Sequence, residues 1–166
     1  MAKFVQIGFR ASEFVWTLLI TALIGNVIAE AFSGNPSSVN YAIFVAVFSW
    51  IVLLIGLVVA FTDLENIILQ VLIALDALAV VFTFVAGVVL AAKLGVHSCG
   101  NTSYTTTNSL TNGSHDTSKR CRELQASTAF FWFLFASFVG SLVLSAMGGR
   151  SSMSMRGRKG QPMSQV

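Results

Sequence analysis

The chain is 166 residues long, 55% hydrophobic and only 10% charged, with a formal charge of +3. A soluble domain carries about 25% charged residues, so this composition excludes an ordinary water-soluble fold and leaves no length for a second domain once apolar spans are counted. The basic residues gather at the two ends and in one loop without interleaved aromatics, which excludes a nucleic-acid footprint.

Taken in chain order, residues 1–12 form a short N-terminal segment with Lys3 and Arg10, and a first apolar span is expected over 13–31 (EFVWTLLITALIGNVIAEA). A cleavable signal peptide is the rival reading, because Ala29-Glu30-Ala31 has a small-x-small form, but the run is long for a signal h-region. Residues 32–39 (FSGNPSSV) are turn formers. A second span is expected over 40–61, and residues 62–66 turn into a third, with Thr62 or Asp63 as N-cap. The third span, 67–92, is about 39 Å long as a helix, enough to cross a hydrocarbon core of about 30 Å. Near its middle stands Asp76, which costs about 2.5–3.5 kcal/mol on insertion scales. Sixteen Leu, Ile, Val and Phe residues in the span outweigh it. Residues 93–123 are the one sizeable polar loop, and the fourth span, 124–147, begins with the aromatic group Phe130, Phe131, Trp132, Phe133, Phe135 and Phe138. The final stretch, 148–166, is a Gly/Ser/Met-rich basic tail that cannot bury a core of its own. The expected fold is an all-α bundle of four transmembrane helices.

Four spans put both ends on one side. Lys3, Arg10, Arg150, Arg156, Arg158 and Lys159 lie there, against Lys93, Lys119, Arg120 and Arg122 in the polar loop, which is a weak positive-inside bias. The loop adds two N-glycosylation sequons, at Asn101 and Asn112, and both cysteines of the chain, Cys99 and Cys121. A pairing of those cysteines requires an oxidising compartment. Both ends are therefore expected in the cytoplasm and the loop outside, bearing a Cys99–Cys121 disulfide. Reactive thiols are the alternative. A zinc site with His97 and His115 has little support, because the spacing matches no known pattern.

The run VFTFVAGVVLAA, followed by His97-Ser98-Cys99, Asn101-Thr102-Ser103-Tyr104 and then Arg120-Cys121-Arg122 ahead of an aromatic last span, resembles the fungal non-classical export protein 2 family, four-span proteins with a MARVEL domain. Leu75-Asp76 and the terminal Ser164-Gln165-Val166 fit it as well. The resemblance implies a non-enzymatic plasma-membrane protein of eisosome-associated microdomains, an organiser of membrane furrows that responds to sphingolipids and is linked to unconventional secretion.

Read from the residues alone, Asp76 is a polar anchor facing Thr21, Asn26, Ser49 or Ser137; a proton or ion relay would require companions at the same depth. The aromatic group on the fourth span goes round more than one face, so part of it is expected to meet lipid or a partner. Small-residue spacings such as Gly25-xxx-Ala29, Gly56-xxx-Ala60, Gly87-xxx-Ala91 and Ala136-xxx-Gly140 favour close helix packing. Arg150, Arg156, Arg158 and Lys159 suit an anionic leaflet, with Ser151, Ser152 and Ser154 as phosphorylation candidates that would weaken the attraction. No nucleophile–base pairing or phosphate loop appears. The expected partners are membrane lipids (sterol, sphingolipid or anionic phospholipid), further copies of the chain or a larger plasma-membrane protein; no nucleic acid, cofactor or metal is expected. A small channel, carrier or transporter subunit using Asp76 is the reading from another class.

Overall fold

A computed structural model describes residues 2–61 and 66–158. It contains α1 (Ala2–Ala29), α2 (Ser37–Phe61), α3 (Asn66–Leu94), a short α4 (Thr102–Thr107) and α5 (Thr117–Arg158). Four of these are long and apolar enough to cross a membrane, over Phe4–Ala29, Ser37–Val59, Gln70–Leu94 and Thr117–Met147. The seven-residue connection from α1 to α2 gives an antiparallel return, and α1 packs against α2 and α5 while α3 packs against the same two. The four spans therefore form a closed ring in which α1 and α3 stand on one diagonal and α2 and α5 on the other.

The buried residues trace a seam on each helix. On α1 they are Arg10, Glu13, Thr17, Ile20, Ile24 and Val27; on α5 they include Cys121, Leu124, Ser127, Phe131, Leu134, Phe138, Ser141 and Ser145. Alternating steps of three and four keep one stripe of a helix facing its neighbours, as in coiled-coil packing. Three buried hydroxyls of this interior are satisfied within their own helices: Ser49, Thr83 and Ser127 donate to the carbonyls of Val45, Ala79 and Glu123 at 2.7–2.8 Å, whereas Thr17 Oγ1 has no partner among the described residues. Glycines admit large side chains. A Cβ at Gly87 would meet the Trp132 indole at 3.3 Å, one at Gly56 would fall 2.5 Å from the Arg10 guanidinium, and Gly140 lies under the Phe9 ring, whereas Gly25 has nothing within 4 Å.

Three boundaries differ from the sequence reading. The first span begins well before Glu13, because Arg10 and Glu13 are held inside the bundle instead of flanking it. The polar loop is shorter and more ordered than 93–123. Gly95, left-handed at φ +57°, ends α3, and α5 starts at Thr117, where the Asp116 carboxylate accepts from the Lys119 N–H at 2.8 Å as an N-cap. At the other end α5 continues as helix through Arg158, where a separate tail was expected from residue 148. Arg150, Ser151, Ser152, Ser154, Arg156 and Arg158 lie on that continuation, while Lys159, Ser164-Gln165-Val166 and the Thr62/Asp63 cap fall outside the described residues.

Candidate functional site

The main polar cluster of the interior stands where α1, α3 and α5 converge, near the end of the bundle that carries the chain termini. Arg10 on α1 reaches across the diagonal to Asp76 on α3, donating from Nη1 to Oδ1 at 2.9 Å and from Nη2 to Oδ2 at 2.7 Å. Nη1 also donates to Glu13 Oε2 at 2.8 Å, one turn along the same helix. The other Glu13 oxygen, Oε1, lies 2.5 Å from Ser141 Oγ on α5. Arg10, Glu13, Asp76 and Ser141 are all fully buried. Arg10 stands about 9 Å along α1 from the start of the stretch that is long and apolar enough to cross a membrane.

The fork geometry explains the residue types. A guanidinium presents parallel N–H groups that match both oxygens of one carboxylate, which a lysine ammonium cannot do. Gly56 on α2 supplies the opening: any side chain there would occupy the volume of the guanidinium. Asp76 is thus paired, whereas the sequence reading left it among neutral hydroxyls and amides. The groups named for it are engaged elsewhere. Thr21 accepts from the Trp50 indole N–H at 3.0 Å, Asn26 donates to Glu123 at 2.6 Å, Ser49 bonds within α2, and Ser137 accepts from Ser12 at 3.0 Å. Above the cluster the seam carries the buried hydroxyls of Thr17, Ser49 and Thr83 among apolar residues, and Ile20, Ile24, Val45, Ala86, Leu90 and Phe131 then fill the ring.

The opposite end is closed by residues 95–116. Cys99 and Cys121 form a disulfide with a Cα–Cα distance of 5.6 Å, tying the start of this segment to the first turn of α5. Beside it Arg120 is 1% exposed and serves as a second interior cation. Its Nε donates to the Leu110 carbonyl at 2.7 Å, its Nη1 to the Val27 carbonyl at 2.6 Å and its Nη2 to Asn35 Oδ1 at 3.1 Å. One side chain thereby joins the last turn of α1, the α1–α2 connection and the polar segment. Tyr104 stacks on His97 at 4.4 Å and donates its hydroxyl to the Leu94 carbonyl, and Lys119 pairs with Glu30. Both sequon residues, Asn101 and Asn112, are exposed in this segment; Asn101 also caps α4.

The aromatic group of the fourth span divides. Trp132 and Phe133 face outward, Phe130 and Phe135 are half-buried, and Phe131 and Phe138 are fully buried in the core. The last two are not lipid- or partner-facing as the sequence reading had them; they fall on the seam, seven residues apart. Arg10, Glu13, Ser141 and Gly56 are the site residues that sequence reasoning missed. The available signal was the regular spacing of 10, 13 and 17 with 20, 24 and 27.

A family model described as a membrane-associating domain, MARVEL, matches residues 3–144. Among curated proteins, the chain is 43% identical to non-classical export protein 2 of Saccharomyces cerevisiae over 98 residues, a match that covers 55% of each chain. It is 35% identical to non-classical export protein 102 of Candida albicans over 164 residues, covering 95% of each. It is 36% identical to a second Saccharomyces cerevisiae protein, non-classical export protein 2 homolog 1, over 84% of this chain and 78% of that one. The chain thus spans about half the length of the first of these relatives and most of the other two. No solved structure matches it.

Proposed function

The chain belongs to the MARVEL family of multi-pass membrane proteins, and on that premise we propose that it is a non-enzymatic organiser of plasma-membrane microdomains, acting by lateral association and responding to sphingolipids. The observation that carries this reading is where the polarity lies. Arg10, Glu13 and Asp76 bond to one another in one buried cluster, Arg120 is held by carbonyl and amide oxygens, and the outward faces of all four spans present Phe14, Leu18, Phe44, Ile51, Leu54, Phe84, Trp132 and Phe133. Such a protein meets the membrane sideways, through lipids and neighbouring bundles, with sterol, sphingolipid or anionic phospholipid at its surface. The names of its relatives support a further link to export outside the usual secretory route. The resemblance adds the eisosome-associated compartment.

In this reading both termini are cytoplasmic and the 95–116 segment is outside, supported by its disulfide and by sequons at Asn101 and Asn112. The basic continuation of α5, with Arg150, Arg156 and Arg158, then lies along or beneath the anionic leaflet, where each charge near the surface contributes about 1 kcal/mol. A scaffold is favoured over a channel or carrier because both oxygens of Asp76 are held by Arg10 and, beyond the buried hydroxyls of Thr17, Ser49 and Thr83, Ile20, Ile24, Leu90 and Phe131 fill the ring. Imaging the tagged protein while sphingolipid synthesis is inhibited tests the proposal. Redistribution of a patchy pattern is expected; a pattern that stays patchy and unchanged, or is uniform throughout, refutes it.

A further inference from the structure

We infer that Glu13 is a proton-binding carboxyl, holding its proton on Oε1 towards Ser141 and exchanging it only with the end of the bundle that carries the chain termini. The argument begins with charge. Arg10, Asp76 and Glu13 are in mutual hydrogen-bonding contact and fully buried, and with both acids ionised they sum to −1. An uncompensated charge at this depth is costly in hydrocarbon, whereas one added proton makes the cluster neutral.

Geometry assigns the proton. Asp76 binds Arg10 through both oxygens, and that fork needs an ionised carboxylate with no oxygen taken up by an O–H. Glu13 is asymmetric by comparison. Its Oε2 accepts from Arg10, as the carbonyl oxygen of a neutral acid can, while Oε1 meets only a hydroxyl among the described residues, 2.5 Å away. That separation is at the short limit for O–H···O, and a serine oxygen accepts a carboxyl proton as readily as it donates to a carboxylate. The groups facing Glu13 are Arg10 on its own helix, Asp76 from α3 and Ser141 from α5; α2 contributes the uncharged Gly56 against the guanidinium.

The direction of exchange follows from what lies on either side. Towards the termini, Gln6 on α1 and Ser145 on α5 form a partly buried polar pair at 3.4 Å, the same two helices that hold Glu13 and Ser141. Away from the termini, the buried hydroxyls of Thr17, Ser49 and Thr83 come first, and beyond them Ile20, Ile24 and Phe131 close the ring. A proton therefore leaves and returns through the Gln6–Ser145 layer.

The test uses the full chain in lipid nanodiscs at neutral pH and reads the infrared C=O band of protonated carboxyl groups, together with thermal stability as pH is raised. The wild type should show the band and lose stability as pH rises above the ordinary carboxyl range, where the unfolded chain gives up the proton that the fold retains. Glu13→Gln, which keeps the shape of the neutral acid, should fold, lose the band and lose that pH dependence; Ser141→Ala should shift the band without abolishing it. Absence of the band from the wild type, or its persistence in Glu13→Gln, overturns the assignment. Failure of Glu13→Gln to fold does so as well, since a neutral isostere should be accommodated.

Discussion

Replacing Arg10 with Met removes the cation of the cluster while keeping an unbranched apolar stem beside Gly56, so the change reports charge rather than a void. It strips both Asp76 oxygens and one Glu13 oxygen of their donors in a site with no exposure to solvent. Removing one partner of a buried ion pair costs about 3–5 kcal/mol, mostly because the remaining charge is stranded. Against a total of about 5–15 kcal/mol for a folded domain, that is a large fraction. Removing all three ionisable groups together strands none. The triple variant Arg10→Met/Glu13→Gln/Asp76→Leu should lie within about 1 kcal/mol of the wild type or above it, as replaced buried ion pairs often do. Unfolding in mixed micelles, followed by far-UV circular dichroism and by the fluorescence of Trp16, Trp50 and Trp132, measures the series. Wild-type stability for Arg10→Met within about 0.5 kcal/mol, or a triple variant no better than the single, would show that the cluster is not a brace.

Three further outcomes are expected. Gly56→Ala places a methyl 2.5 Å from the Arg10 guanidinium, so it should destabilise by about 1–3 kcal/mol through overpacking and lose most of that penalty in the Arg10→Met background, as a double-mutant cycle would measure. Arg120→Met should cost about 2–4 kcal/mol through the loss of hydrogen bonds from a charged donor, and limited proteolysis should cut within 95–116 while the spans stay helical. Cys99→Ser opens a closure of 22 residues and should lower stability by about 3 kcal/mol on the chain-entropy estimate, with reductant lowering the wild type to the same level.

The spans were legible because an apolar run long enough for a bilayer is a strong signal, and the disulfide because both cysteines share one polar stretch. The interior charges were not. Arg10 and Glu13 resemble the polar flank of a span when hydropathy is averaged, and only their place on the three–four spacing continued by Thr17, Ile20 and Ile24 puts them on the buried seam. The pairing with Asp76 lies further out of reach, since it joins helices that are neither consecutive nor adjacent in the ring and residues 66 apart. Phe131 and Phe138 show the converse. A cluster of six aromatics reads as one feature in sequence, yet the helix period sends two of them inward and leaves Trp132 and Phe133 outside. Arg120 has the same character as Arg10: a cation counted as surface charge whose role depends on three acceptors from distant parts of the chain.

The diagonal bridge also sets an order of events at the ribosome. α1 enters the bilayer with Arg10 and Glu13 already one turn apart, a self-neutralising pair that one helix can carry alone. Asp76 emerges 66 residues later, roughly 3–13 s at the usual pace of synthesis. Throughout that interval one side of the guanidinium has no carboxylate, and α1 is without the contact that orients it towards α3. The nascent chain therefore has reason to keep α1 loosely placed until the third span arrives, and the arrival of Asp76 is the moment at which the ring can close.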